Sequence, residues 1–117
     1  MFNFLRPKPQ MPLKDVMAKV ASGEVLLVDV REKAEVQASG TAKGAIHIPL
    51  SLVALKADPK GPGHDKRFKA DTPIAVFCAS GARSGMAVQA LQKLGYEASN
   101  LGGFAAWVKA GGPVSRG

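Results

Sequence analysis

The chain has 117 residues, a net charge of +7 and a single cysteine, Cys78. That length holds one domain, and a hydrophobic content of 46% supplies an ordinary core. A lone cysteine excludes an internal disulfide and a cysteine-built metal site, and no apolar run reaches the ~18 residues of a membrane helix.

Residues 1–9 read as a flexible lead-in to a single domain over 10–117. The apolar run from Phe2 to Leu5 is broken by Asn3 and stopped by Arg6 and Pro7. It is shorter than the roughly 7–15 residues of a secretory apolar region, and with no cysteine pair a reducing, cytoplasmic setting is expected. Leu13, Val16, Met17 and Val20 recur at helical spacing, with Pro12 suited to the first turn and Gly23 to the exit. Val25–Val30 is a continuous apolar run of strand length, and Lys33–Ala38 a short helix that Gly40 terminates. Ala45–Pro49 predicts a second strand, and Ser51 a cap for a helix through Lys56. Asp58–Thr72 is a loop rich in glycine, proline and lysine. Pro73–Cys78 is a third buried strand, Ser84–Leu94 a helix closed by Gly95, Tyr96–Leu101 a fourth strand and Phe104–Ala110 a last helix.

Strands alternate with helices, which is the α/β pattern of a mainly parallel sheet with helices on both faces. Ligands of such sheets bind outside the carboxyl ends of the strands. Two strand ends carry chemistry here, Asp29–Arg31 and Cys78–Arg83.

Cys78 stands where a buried strand ends and a helix begins. The amides that follow can turn inward as a nest around its sulfur. Ala79, Ser80 and Ala82 are small enough for backbone to approach a ligand, and Gly81 permits positive φ inside the turn. Arg83 starts the helix and can bring its fork to the sulfur or to a bound anion, with Ser84 beside it. Donated hydrogen bonds, the helix dipole and a guanidinium all favour thiolate over thiol. An exposed thiolate of this kind is also expected to oxidise readily.

Cys78-x-x-Gly81-x-Arg83-Ser84 resembles the active-site loop of the rhodanese family. Asp29-Val-Arg-Glu32 with Glu35, then Gly44-Ala-Ile-His-Ile-Pro49, resembles the family's stretch after its first long strand. Leu101-Gly-Gly-Phe-Ala-Ala-Trp107 resembles the start of its closing helix. The three blocks fall in the family's order over roughly 11–114. The resemblance implies about five mainly parallel strands flanked by helices, the fifth a short one near Met11. It implies a sulfurtransferase with Cys78 as nucleophile, carrying sulfane sulfur as a persulfide from a small anionic donor such as thiosulfate to cyanide or a thiol. Residues 79–84 would then bind substrate, with no metal and no organic cofactor. Gly40-Thr41-Ala42, and Lys43 before Gly44, depart from the family pattern and should change local packing and surface charge.

Asp29 and Arg31 either touch substrate or pair to brace the strand end, and their spacing favours the pair. His47 reads as a packed strand residue, Trp107 as core, and His64 as an exposed loop residue or an acceptor contact. Met86 either lines the pocket or packs. The basic segment Lys56–Lys69 is a solvated loop, a thiosulfate attractor or a dock for an acidic protein that accepts sulfur. No basic helical stripe with interleaved aromatics marks a nucleic-acid surface, so neither nucleic acid nor membrane is expected as a partner. A non-catalytic interaction module is a rival, although Cys78 and Arg83 argue against it. A cysteine phosphatase is another, but its loop holds one more residue between cysteine and arginine than Ala79–Ala82 provides, leaving this ring tight for a phosphate group.

Overall fold

The computed structural model describes residues 12–116. The expected lead-in over 1–9 and the short strand near Met11 lie outside these residues. The described chain runs α1 (Leu13–Ala21), β1 (Leu26–Asp29), α2 (Lys33–Ser39), β2 (Thr41–Ala42), β3 (Ile46–His47), α3 (Leu50–Ala57), β4 (Ile74–Cys78), α4 (Ala82–Lys93), β5 (Ala98–Gly103), α5 (Phe104–Lys109) and β6 (Val114–Ser115).

The central sheet has four parallel strands in the order β3-β1-β4-β5. Strand β4 is buried at all five positions, as a strand covered on both faces must be. Its side chains alternate between two cores. Ile74, Val76 and Cys78 point into one core with Val53 and Ala57 of α3 and Ala87 and Leu91 of α4. Ala75 and Phe77 point into the other with Val16 of α1 and Trp107 of α5. This alternation aims Cys78 at the α4 side of the sheet.

Several expected boundaries move. Helix α4 begins at Ala82, two residues before the sequence placed it, and β5 covers 98–103 instead of 96–101. Ser51 is not a cap: α3 starts at Leu50, its N-cap is Pro49, and no side chain caps it. The start is fixed by the sheet, because Leu50 N–H donates to Val30 O at 3.1 Å. Tyr96 does not join β5; it is buried ahead of it, its hydroxyl bonded to the carbonyl of Ala57. A two-stranded antiparallel pair, β2 with β6, was not anticipated. It occupies the segment around Thr41 and Ala42 where the chain departs from the family pattern.

Strand β5 carries a dislocation. Val76 pairs with Asn100, but Phe77 pairs with Gly102, so Leu101 is an extra residue. A bulge of this kind re-aims the side chains around it. Here it leaves Asn100 and Gly102 on either side of the extra residue, at the carboxyl end of β4.

Candidate active site

Cys78 ends β4, and the chain turns over its sulfur at once. Gly81 takes φ +100° and forms the N-cap of α4 without a capping side chain of its own. The sulfur takes that role. Gly81 N–H donates to Cys78 Sγ at 3.0 Å and Ser84 N–H at 3.3 Å. First-turn amides of a helix lack intrahelical acceptors, so the sulfur and the helix start satisfy each other. The Ser84 oxygen is a further neighbour at 3.3 Å.

Burial pushes the Cys78 thiol up. Hydrogen bonds from the Ser84 hydroxyl and from the amides of Ser84, Ser80 and Gly81 outweigh it and lower the pKa from 9.0 to about 7. Near neutral pH a large share of the sulfur is therefore thiolate. The sulfur is nevertheless not exposed as the sequence suggested, since Cys78 has 0% relative exposure. It lies on the covered face of β4 beneath its own loop, while Ala79, Ser80 and Ala82 face solvent.

Asn100 is the residue sequence reasoning missed. Its Nδ2 donates to Gly81 O at 2.9 Å, and its Oδ1 accepts from Gly102 N–H at 2.8 Å and lies 2.7 Å from Ser84 Oγ. One side chain of β5 thus holds Gly81 and Ser84, two of the residues whose amides reach the sulfur. Two glycines make the approach close enough. A Cβ on Gly103 would sit 2.4 Å from Ala79 O, and one on Gly81 would sit 3.3 Å from the Cα of Gly102. Gly103, which also opens α5, thus lets β5 pass under the loop.

Arg83 lies in the first turn of α4 but is engaged away from the sulfur. Its guanidinium donates twice to Glu35 of α2, Nη1 to Oε1 at 2.6 Å and Nη2 to Oε2 at 2.8 Å. The Arg83 bonds, helped by the Glu32 N–H, hold the Glu35 carboxyl at about 2. The same pairing raises the Arg83 pKa.

Asp29 and Arg31 form a second pair, fully buried at 0% and 4% exposure. Arg31 Nε and Nη2 grip both carboxylate oxygens at 2.8–3.1 Å. Nη1 and Nη2 also reach Ser39 Oγ and Gly40 O, and Thr41 Oγ1 donates to Asp29. The guanidinium lies 4.4 Å from the Phe104 ring centroid, a cation–π contact. With every face occupied, this pair ties β1 to the exit of α2.

His47 lies in β3 with Nε2 2.7 Å from Arg31 O. Trp107 is core and donates to Pro113 O. Met86 is 62% exposed and does not pack into the core. His64 is half-buried, its Nε2 3.1 Å from Phe68 O. The basic loop joins the end of α3 to the start of β4, so it lies at the amino edge of the sheet. There Pro59, His64, Lys66, Phe68, Leu94 and Tyr96 border a shallow cavity of about 380 Å³. Cys78 is at the carboxyl edge, and the loop does not face it. Among the described residues no group of three His, Cys, Asp or Glu side chains could hold a metal ion, and no helix is long and apolar enough to cross a membrane.

A cysteine cradled by helix-start amides at the carboxyl edge of a parallel sheet defines a class of thiolate site. The rhodanese-like domain model matches residues 12–110, and the chain belongs to that family. It is 34% identical over 93 residues to a sulfurtransferase of Allochromatium vinosum, covering 78% of each chain. It is 28% identical over 109 residues to the human thiosulfate:glutathione sulfurtransferase, covering 86% of this chain and 94% of the relative. A rhodanese-related protein of Thermoplasma volcanium superposes with a TM-score of 0.73 at 29% identity, covering 92% of this chain and 98% of that one.

Proposed function

We propose that the protein is a thiosulfate-type sulfurtransferase working through a Cys78 persulfide. The observation that carries this reading is the sulfur held by the amides of Gly81 and Ser84. That cradle favours an anion at Sγ, whether thiolate or the terminal sulfur of a persulfide.

The Cys78 thiolate attacks the sulfane sulfur of thiosulfate. A Cys78 S–S bond forms, the donor's S–S bond breaks, and its electron pair leaves with sulfite. Cyanide or a thiolate then attacks the terminal sulfur, the S–S bond breaks toward Cys78, and thiocyanate or a new persulfide departs as the thiolate is restored. Charge balances in both steps, and no histidine base is needed because the nucleophile is already ionised. Ala79, Ser80 and Ala82 are the exposed residues of the loop, and the loop has to open for a donor to meet the covered sulfur. The similarity to a thiosulfate:glutathione sulfurtransferase supports both a thiosulfate donor and a thiol acceptor.

Intact mass before and after thiosulfate tests this. A gain of one sulfur atom, lost on adding cyanide with release of thiocyanate and absent in Cys78→Ala, is expected. No gain on a reduced Cys78 would overturn the thiosulfate assignment. A Cys78→Ser protein that kept every cellular role would replace the catalytic reading with an interaction module.

A further inference from the structure

The one cation of the catalytic loop is tied to a carboxylate. The Glu35–Arg83 contact is fork on fork, with both guanidinium arms on both carboxylate oxygens. Such planar pairing fits any group that presents two oxygens side by side. Glu35 is itself held in place. Its Oε1 accepts Glu32 N–H at 2.9 Å, one half of a reciprocal capping box at the start of α2. The two side chains remain 32% and 35% exposed, so a dissolved anion can reach them. Because the carboxyl titrates near 2, falling pH does not open the pair in the neutral range. Arg83 directly precedes Ser84, whose N–H lies 3.3 Å from Cys78 Sγ, so its backbone stands next to the sulfur cradle.

We propose that Glu35 is a specificity-determining positioning residue, an internal carboxylate that fills the Arg83 fork until an oxyanion donor displaces it. The proposal rests on Cys78 as the sulfur acceptor. Donors ending in two or more oxygens on sulfur, thiosulfate and organic thiosulfonates, can take the carboxylate's place arm for arm. Neutral sulfane donors cannot. When sulfite or a sulfinate leaves, Glu35 returns to Arg83 and competes against rebinding. The residue therefore weakens donor affinity and hastens product loss.

Glu35→Gln, Glu35→Asp and Glu32→Gln separate this from simple charge. The Glu35→Gln change removes the charge and one arm of the fork. The Glu35→Asp change keeps the charge but withdraws the carboxylate by one methylene. Glu32→Gln removes a neighbouring charge and leaves the fork intact. The first readout is the rate of Cys78 modification by iodoacetate relative to neutral iodoacetamide, which needs no sulfur transfer. The ratio should rise roughly three- to fivefold in both Glu35 variants, the scale of a partly exposed ion pair, and stay within about twofold of wild type in Glu32→Gln. The second readout is thiocyanate formation, where KM for thiosulfate should fall by a similar factor without a matching rise in kcat. An unchanged ratio in Glu35→Gln overturns the proposal. So does an equal rise in Glu32→Gln with Glu35→Asp silent, which would make the effect net charge. If wild type takes no sulfur from thiosulfate while the ratios move as stated, the donor assignment has failed and the latch has not.

Discussion

Two arginines near the carboxyl edge of the sheet are each gripped by a carboxylate through both arms, and they serve opposite ends. Arg31 and Asp29 are sealed from solvent, and the guanidinium places its remaining hydrogen bonds on Ser39 and Gly40. Arg83 and Glu35 are about one-third exposed, and among the described residues Nη1 and Nη2 meet only the carboxylate. The chemistry of the pair is shared, and solvent access decides what it does. A buried pair is costly to break because either partner is left as an uncompensated charge, whereas an exposed pair loses little and can exchange partners with an incoming ion.

The largest expected effect comes from breaking the sealed pair. Asp29→Ala leaves Arg31 unpaired in the interior and should cost about 3–5 kcal/mol, read as a lower urea midpoint at an unchanged slope. A stability loss under ~1 kcal/mol would mean that the interior admits water and that the contrast is false. Next, Arg83→Ala should leave the urea midpoint almost unmoved yet slow persulfide loading by roughly 10–100-fold, the value of a charge-assisted contact made in the reaction. Unchanged loading would remove Arg83 from the mechanism.

The sulfur sharpens the contrast through pH. Its pKa is lowered on folding, from 9.0 to about 7. A group with a depressed folded pKa contributes stability that is full above the unfolded value and lost as pH falls through the folded one. Wild type should therefore gain on Cys78→Ser as pH rises from about 7 to 9, by on the order of 1–2 kcal/mol, in paired urea titrations. A flat difference would mean that the cradle does not select the thiolate. The smallest effect belongs to the exposed pair, where Glu35→Gln should change unfolding free energy by less than ~1 kcal/mol. A loss as large as that of Asp29→Ala would make Glu35 a structural brace.

Much of this was legible in the sequence because it is local. Val25–Val30 and Pro73–Cys78 announce buried strands by unbroken apolar runs, and the small residues and glycine after Cys78 announce a loop that can close on a sulfur. What was not legible depends on register. Nothing near Asn100 in sequence says that it reaches Gly81; that follows from the extra residue at Leu101 shifting β5 against β4. The partner of Arg83 lies on α2, far away along the chain, and the burial of Cys78 follows from the packing of α3 and α4 over that face of β4. Ser51 looked like a cap in isolation and lost to the bond between Leu50 and Val30. The basic loop read as a solvated loop, a thiosulfate attractor or a dock for an acidic protein, and only the sheet's direction puts it at the edge away from Cys78.

Strands β2 and β6 join Thr41 and Ala42 to Ser115 and Val114, segments far apart along the described chain. Closing so long a stretch of chain has an entropic cost that only an otherwise organised molecule can meet. This small clasp is therefore expected to form late in folding, after the four-stranded sheet. Gly40 stands directly under it, since a Cβ there would lie 2.8 Å from Ser115 O. Gly40 also ends α2, the helix that presents Glu35 to Arg83. The mouth of the site is thus expected to take its final shape only when β6 docks on β2, so that a folding chain would have an assembled sulfur cradle before it has a selective one.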